Sequence, residues 1–215
     1  MDTIIPADVD QTRSAYDDVA VVYTELFKDI LATMPFDRAM LAAFADLVRA
    51  NGGGPVADIG CGPGRITAHL AKLELDPFGI DLSLRMIELA RQAYPQLRFD
   101  TGSMESLAID DAKLAGIVAW YSLIHLPPER VPGVLTEFYR VLEPGGYALL
   151  GFFAADASDA VEAFDHKVTR AYRWSPQRLS GLLDAAGFAT VAQLVRRPED
   201  GERFLQGSLL VVKDR

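Results

Sequence analysis

Three closely spaced glycines at the end of an apolar run constrain the fold of this chain more than any other feature. Residues 56–59 have the pattern of a short buried strand, and Gly60, Gly62 and Gly64 end it in a turn. Apolar residues then recur at helical spacing from Ile66 onward. Glycines let the backbone approach a ligand where a side chain would block it. The sequence therefore predicts a strand, a ligand-binding turn and a helix in succession.

A second apolar strand ends in an acid. Residues 78–80 have strand character, and Asp81 follows them directly. A carboxylate at the tip of the neighbouring strand can accept two hydrogen bonds from the vicinal hydroxyls of a ribose. The alternative is that Asp81 caps the next helix, but Ser83 is a competing cap residue. Together with the glycine turn, Asp81 predicts a pocket for an adenosine-containing ligand.

The spacing of the glycines discriminates between adenosine-containing ligands. The dinucleotide fingerprint requires a third glycine where this chain has Arg65, and no lysine follows as in a P-loop. Asp58 precedes the first glycine, and its carboxylate would repel a pyrophosphate but attract an ammonium group. S-adenosylmethionine has an ammonium group, a ribose and an adenine without any phosphate. The alternative for Asp58 is that it only caps a nearby backbone amide.

These motifs resemble the class I S-adenosylmethionine-dependent methyltransferases of the small bacterial type. Residues 58–64 are similar to the family's first motif, and residues 79–83 are similar to its second. Residues 99–107, 117–126 and 139–147 resemble the segment that edges the adenine, the fourth strand with its turn, and the approach to the fifth strand. The resemblance covers nearly the whole chain, and it implies methyl transfer from S-adenosylmethionine to a nucleophilic atom.

The resemblance also implies roles for individual residues. Met86 stands where a hydrophobic residue often covers the adenine, whereas Ser103 replaces an acid that often accepts from the adenine amino group; Glu105 is close by. Tyr16 and Tyr23 match a lid helix whose tyrosines reach the methionine carboxylate. The predicted cofactor-binding residues are Tyr16, Tyr23, Asp58, Gly60, Gly62, Gly64, Arg65, Asp81, Leu82, Met86, Gly102, Ser103, Met104 and Tyr121.

Three of these assignments compete with structural explanations. Tyr16 and Tyr23 lie on the apolar stripe of the first helix, where aromatic residues commonly pack into a core. Arg65 can reach the methionine carboxylate or extend into solvent. His125 is the candidate for acid–base catalysis, because it follows the fourth strand and histidine titrates near neutral pH; it can equally hydrogen-bond the following loop. No His, Cys or Asp cluster has metal spacing, so we predict no metal.

Composition limits the partners and the compartment. The 215 residues carry a net charge of −9, which disfavours nucleic acid as a substrate and leaves a small-molecule acceptor. No apolar run is long enough to span a membrane, and Met1-Asp2-Thr3 lacks a secretory pattern. Cys61 is the single cysteine, so it has no partner for an internal disulfide. These features predict a cytoplasmic protein, and they leave its oligomeric state open.

The order of predicted elements indicates an α/β fold. We expect a Rossmann-like, seven-stranded, mostly parallel sheet with an antiparallel edge strand, helices on both faces and an N-terminal helical lid. Residues 1–54 form the predicted cap or lid, with a helix break at Met34-Pro35, and residues 55–215 form the methyltransferase core. Residues 154–173 are polar and small, as in a lid or a substrate-side insertion. Two final strands form a predicted antiparallel hairpin.

The acceptor site and two rival functions stay open at this stage. We expect the acceptor to contact the N-terminal helices, the loop after the fourth strand and residues 154–173. Arg170 and Arg173 can hold an acidic group on it or lie on the surface. The rivals are a non-catalytic module that binds S-adenosylmethionine and a nicotinamide-dependent oxidoreductase. The glycine spacing opposes the second rival, and nothing in the sequence excludes the first.

Overall fold

The computed structural model describes residues 7–156, 159–199 and 201–214. Met1-Asp2-Thr3, on which the prediction of no secretory signal rests, lie outside the described residues. The helices are α1 (Ala7–Phe27), α2 (Ile30–Thr33), α3 (Pro35–Ala50), α4 (Arg65–Lys72), α5 (Leu84–Ala93), α6 (Val131–Val141) and α7 (Pro176–Ala185), with a short 3₁₀ helix at Leu123–His125. The strands are β1 (Pro55–Ile59), β2 (Asp76–Asp81), β3 (Arg98–Thr101), β4 (Leu114–Trp120), β5 (Leu142–Ala154), β6 (Val161–Asp165), β7 (Arg170–Trp174), β8 (Phe188–Arg196) and β9 (Leu205–Lys213).

The central sheet has the predicted mostly parallel, Rossmann-like arrangement. Strands β3, β2, β1, β4 and β5 lie side by side in this order, and each neighbouring pair is parallel. Strand β1 lies between β2 and β4, so the strand order reverses beside it. Ligands in such sheets bind at this switch point, outside the carboxyl ends of the strands. The predicted fold class is therefore confirmed.

The prediction of seven strands was wrong in number, because the sheet of the described residues has nine. The additional pair is the antiparallel hairpin of β6 and β7, which occupies most of the segment 154–173; residues 157 and 158 lie outside the described part. Glu162 and Arg173 face each other across the hairpin as an ion pair. Because of such charges, the sequence of the segment resembles that of a polar loop. The ring of Phe164 nevertheless packs against the rings of Phe153 and Phe204.

The reversed strand also has a different position from the predicted one. Strand β9 is antiparallel to both β5 and β8 and lies between them, so β8 is an edge strand, as are β3 and β6. Six of the nine residues of β9 are buried, whereas in β8 only the two end residues are buried and the seven between them are exposed or half-buried. A strand that is covered on both faces reads as a continuous apolar run, as residues 209–212 do.

The N-terminal helices serve two different purposes. Helix α3 begins at Pro35, as the predicted break requires, and packs its buried face, which includes Phe44 and Val48, against the sheet. Gly116 of β4 makes this close approach possible, because a Cβ atom there would lie 2.7 Å from Phe44 Cζ. Helix α1 instead lies over the carboxyl ends of the strands, where several of its side chains face a cavity.

The remaining expectations from composition concern membranes and the thiol. No helix within the described residues has the length and apolar character needed to cross a membrane. Cys61 is a free, buried cysteine, and burial raises the pKa of its thiol well above the usual value.

We expect Gly116→Ala to lower the free energy of unfolding by about 1–3 kcal/mol, because the new methyl group would overpack the contact with Phe44 and Val48. Gly181→Ala is the matched control: it lies inside α7, where a new Cβ atom would have no neighbour within 4 Å, so alanine should stabilise the chain by about 0.4–1 kcal/mol. Urea denaturation of both variants measures the difference. Equal effects at the two positions would contradict this account of how α3 packs.

Candidate functional site

An open cavity lies at the carboxyl ends of β1, β2 and β4, beneath α1. Its empty volume is about 1060 Å³ when the space that is open to solvent is included. Nearly all of the predicted site residues line it. These are Tyr16, Tyr23, Asp58, Gly60, Gly62, Arg65, Asp81, Leu82, Met86, Gly102, Ser103, Met104, Tyr121 and His125. Gly64 is the exception, because it turns the chain into α4 with a φ of 82° and its Cα faces the ring of Phe99.

The N–H groups of the glycine turn point into the protein. The amides of Gly60 and Cys61 both donate to the carbonyl of Ile80, over 2.7 and 3.1 Å, and the amide of Gly62 donates to Asp81 Oδ2 over 2.8 Å. A pyrophosphate site needs such amides to be directed at the ligand. This turn therefore offers open space to a ligand, since nothing lies within 4 Å of a Cβ position on Gly62, but it offers no cradle of amides.

Asp81 is held by backbone amides on two sides. Its Oδ2 accepts from Gly62, and its Oδ1 accepts from the amide of Ser83 over 2.8 Å. Burial raises the pKa of Asp81, and these amides counteract the rise. Ser83 is the N-cap of α5, since its Oγ accepts from the amide of Met86. Because Ser83 caps α5, Asp81 is not needed as the cap, and its carboxylate keeps the capacity to accept a hydrogen bond from a ligand.

Asp58 combines the two roles that the sequence left open. Its carboxylate accepts from Thr67 Oγ1 over 2.6 Å and from the Thr67 backbone amide at the start of α4, so it does cap a helix. It also borders the cavity. The side chain is 1% exposed, and burial raises its pKa from 3.8 to about 7, against the effects of Thr67 and Arg65. A cation entering the cavity would restore its charge.

Tyr16 and His125 form a hydrogen-bonded pair across the cavity. His125 Nδ1 lies 3.2 Å from the carbonyl of Arg170, which can only accept, so Nδ1 carries the proton. His125 Nε2 then accepts, and the Tyr16 hydroxyl donates to it over 2.7 Å. Burial lowers the pKa of His125 to about 4, which keeps the ring neutral. The Tyr16 hydroxyl therefore points to His125, and Tyr23 packs edge-on against the Tyr16 ring.

Helix α1 is fastened on the other side of the cavity by Asp17, which sequence reasoning missed. Asp17 Oδ1 accepts from Ser83 Oγ over 2.5 Å and from the amide of Arg85 over 3.3 Å. Both donors lie at the start of α5, where a carboxylate also meets the positive end of the helix dipole. The only sequence signal was the position of Asp17 next to Tyr16, and an acid on an amphipathic helix usually faces solvent.

Glu105 is near in sequence to Ser103, where the family's acid is missing, but it does not replace that acid. Its carboxylate instead pairs with Arg130, with Nε 2.6 Å from Oε1 and a second contact from the same guanidinium. Ser103 Oγ accepts from the amide of Glu105 over 3.3 Å. The part of the cavity that is predicted to border the adenine therefore presents the hydroxyl of Ser103, and the carboxylate of Glu105 is paired with an arginine.

Tyr121 directly follows β4 and has a backbone conformation that non-glycine residues rarely adopt, with a φ of 56°. Its hydroxyl donates to Gln206 Oε1 over 2.6 Å, and burial raises its pKa. This geometry turns the ring into the cavity wall beside Trp120. A non-glycine residue held at positive φ by its surroundings is frequent at functional sites.

The arginines that the sequence suggested for an acidic acceptor do not line the cavity. Arg173 pairs with Glu162 and lies over the ring of Phe204, while Arg170 contributes only its carbonyl, to His125. Arg65 does line the cavity, and no hydrogen bond or ion pair joins its guanidinium to another described residue. Arg65 is thus a cationic group at the cavity, where its charge lowers the pKa of Asp58 and Asp37.

The sheet is Rossmann-like, and the glycines after β1 and the acid at the end of β2 lie where such sheets bind nucleosides. Residues 56–146 match a family model described as a methyltransferase domain. The demethylmenaquinone methyltransferase of Chlorobaculum tepidum is 29% identical over 143 residues, which cover 64% of this chain and 57% of that protein. The carboxy-S-adenosyl-L-methionine synthase of Chromohalobacter salexigens is 31% identical over 150 residues, covering 57% and 56%. The chain thus spans a little over half the length of these curated relatives.

A solved structure extends the likeness over the whole chain. The 1,6-didemethyltoxoflavin-N1-methyltransferase of Burkholderia thailandensis, with bound 1,6-didemethyltoxoflavin and S-adenosylhomocysteine, superposes with a TM-score of 0.71. The two chains are 21% identical, and the match covers 100% of this chain and 94% of that one. At this identity the likeness concerns the fold. The chain is therefore similar to methyltransferases in sequence over residues 56–146 and in fold over its whole length.

We expect Asp58→Asn to change how stability depends on pH. The folded chain binds a proton on Asp58 up to about pH 7, whereas the unfolded chain releases it near pH 4, so Asp58 destabilises the fold increasingly as pH rises between these values. The asparagine keeps an oxygen for Thr67 and has no charge to bury. It should therefore be more stable than wild type above pH 7, by roughly 1–4 kcal/mol, and should lose this advantage towards pH 4.

Urea denaturation of the ligand-free proteins between pH 4 and pH 8 measures this difference. Asp37 and Asp81, whose pKa values are also raised, remain in both chains and cancel in the comparison. A difference in stability that does not vary with pH would show that the Asp58 carboxyl titrates normally.

Proposed function

We propose that the protein transfers a methyl group from S-adenosylmethionine to a nucleophilic atom of a small-molecule acceptor. The single observation that carries this proposal is the amide-anchored Asp81 beside a glycine turn whose N–H groups are all directed inward. An anchored acid suits the hydroxyls of a ribose, and a turn without free amides suits a ligand without phosphate. When bound, S-adenosylmethionine supplies an electrophilic methyl group on a positively charged sulfur.

The cavity residues fit the other parts of this cofactor. Asp58 lies where its buried carboxyl can pair with the ammonium group, and that pairing would offset the cost of ionising it. Leu82 and Met86 offer apolar contact to the adenine, and Gly102 and Ser103 border its edge together with Met104. Arg65 is the available cation for the carboxylate.

The chain's own residues would align the reactants and exclude water. Methyl transfer needs the nucleophile in line with the breaking bond and near contact distance, which positioning alone can supply. We propose that residues 1–54 supply the cap, in which α1 covers the cavity and α3 packs on the sheet, and that residues 55–215 form the core. The β6–β7 hairpin would border the acceptor, because Arg170 of this hairpin orients His125.

A small-molecule acceptor is supported by the names of the similar proteins and by charge. The relative from Chlorobaculum tepidum is named for demethylmenaquinone, and the structure from Burkholderia thailandensis contains 1,6-didemethyltoxoflavin. The net charge of −9 gives this chain little attraction for nucleic acid. We also propose cytoplasmic residence, which the free and buried Cys61 supports.

The rival functions predict different behaviour. A nicotinamide dinucleotide would need the turn amides that Gly60, Cys61 and Gly62 direct elsewhere, so we expect no response to it in a thermal-shift titration. A non-catalytic module would bind S-adenosylhomocysteine without ever transferring a methyl group. Incubation with methyl-labelled S-adenosylmethionine and a panel of hydroxyl, amine and thiol acceptors distinguishes a methyltransferase from such a module. Binding without transfer to any acceptor would favour the non-catalytic module.

We expect Asp81→Asn to weaken the binding of S-adenosylhomocysteine by roughly 1.5–3 kcal/mol, because a charge-assisted hydrogen bond to the ribose is lost. Isothermal titration calorimetry measures the affinity. Asp76→Asn is the matched control, since Asp76 is exposed at the opposite end of the same strand and should leave the affinity unchanged. Equal affinities of the Asp81→Asn variant and wild type would remove the ribose assignment and, with it, the main support for the cofactor.

A further inference from the structure

The hydrogen bonds of His125 determine what this residue can do. A general base must present a free lone pair to the proton that it removes. Nδ1 carries a proton and donates to the Arg170 carbonyl, and the lone pair of Nε2 accepts from the Tyr16 hydroxyl. The direct catalytic role predicted for His125 therefore requires that Tyr16 first leave. The Tyr16 oxygen, in contrast, keeps lone pairs after donating its proton, and Tyr16 lines the cavity.

We propose that Tyr16 is the catalytic residue that takes the acceptor's proton, and that His125 is a positioning residue which receives the phenolic proton of Tyr16 in the same step. This inference rests on the proposed methyl transfer. The acceptor's O–H or N–H bond breaks, its proton forms a new O–H bond on Tyr16, and the former Tyr16 proton moves to Nε2. The acceptor's freed electron pair forms the bond to the methyl carbon, and the bond from that carbon to sulfur breaks.

The charges balance within the cavity. One positive charge disappears from the sulfur as the methyl group leaves, and one appears on the His125 ring. Tyr23 packs edge-on against Tyr16, and His166 packs edge-on against His125, with ring centroids 5.9 and 5.1 Å apart. The carboxyl of Asp81 also acts on Tyr16 from across the cavity. Burial, Tyr23 and Asp81 raise the pKa of Tyr16, and burial and His166 lower that of His125, so both protons stay in place until the acceptor binds.

This arrangement selects a class of acceptor. A relay is useful only when the nucleophilic atom carries a proton that must depart, as in a phenol, an alcohol or a protonated nitrogen. An acceptor that is already ionised has no proton to give, and its reaction should not depend on the Tyr16 hydroxyl. The geometry therefore points to a hydroxyl or N–H acceptor whose pKa lies above the working pH.

The first experiment does not need an acceptor. Nitrogen-15 NMR of the S-adenosylhomocysteine complex reports the tautomer of His125 through the two ring shifts. We expect the Nδ1–H form, with an Nε2 shift that moves when the Tyr16→Phe variant removes the hydroxyl. Asp18→Asn is the matched control, since Asp18 is exposed on the same helix two positions from Tyr16 and should leave both shifts in place. An Nε2–H tautomer, or His125 ring shifts that are the same in wild type and in the Tyr16→Phe variant, would overturn the proposal.

The second experiment compares phenol with 4-nitrophenol as acceptors, at a pH at which only the latter is ionised. Tyr16→Phe should lower the transfer rate about 100-fold for phenol and leave it nearly unchanged for the 4-nitrophenolate. His125→Gln should lower the phenol rate similarly, and the double variant should lose little more than either single variant. Equal losses for both acceptors would show that Tyr16 only shapes the cavity and would overturn the relay.

The two experiments separate this proposal from the one on which it rests. If wild type transfers methyl groups to no acceptor but binds S-adenosylhomocysteine, the proposed enzyme activity fails, and an Nε2–H tautomer in the NMR experiment would independently reject the pairing of Tyr16 with His125. If transfer occurs and Tyr16→Phe has no effect on phenol, the methyl transfer stands and the relay alone is rejected.

Discussion

The double amide contact of Asp81 is the interaction on which the rest of the site depends. One oxygen accepts from Gly62 of the glycine turn, and the other accepts from Ser83 at the start of α5. A single carboxylate thus joins the loop after β1 to the helix after β2, and it does so at the point where the strand order reverses. The contact adds to the bonds from the amides of Gly60 and Cys61 to Ile80, and it fixes the distance between the turn and the start of α5. The same carboxylate lines the cavity, so its position and the shape of its surroundings are set together.

Desolvation gives the cavity its electrostatic character. Asp58 and Asp81 are both drawn toward the protonated state by burial, and Asp58 reaches a pKa of about 7. Two nearby acids that are reluctant to ionise form a site that gains most from a positively charged ligand. Arg65 provides a cation for a carboxylate at the same end. This combination of acids and one arginine matches an amino-acid group better than it matches a phosphate.

The sequence predicted the parts of the site that depend on local spacing. Gly60, Gly62 and Asp81 could be placed because a strand that ends in a glycine turn, followed by a strand that ends in an acid, allows few arrangements. The pairing of Tyr16 with His125 joins residues 109 positions apart, and no local pattern encodes it. No local pattern encodes the hydrogen bond of Asp17 with Ser83 or the ion pair of Glu105 with Arg130 either.

The elements of the fold show the same limit. The parallel strands were predicted because burial on both faces produces continuous apolar runs, as in β4. The β6–β7 hairpin was missed because its stability comes from cross-strand contacts, such as the ion pair of Glu162 with Arg173, and from rings supplied by distant segments. A charged strand read alone looks like a loop, and only its partner makes it a strand.

Tyr16 and Asp17 are consecutive residues, yet they attach α1 to opposite walls of the cavity. Tyr16 bonds to His125 after β4, and Asp17 bonds to Ser83 after β2. A rigid helix anchored at two such points cannot pivot about one of them while the other stays closed. Any ligand that enters or leaves the cavity past α1 would therefore require both hydrogen bonds to open together, and the rate of that opening would limit the rate of ligand exchange.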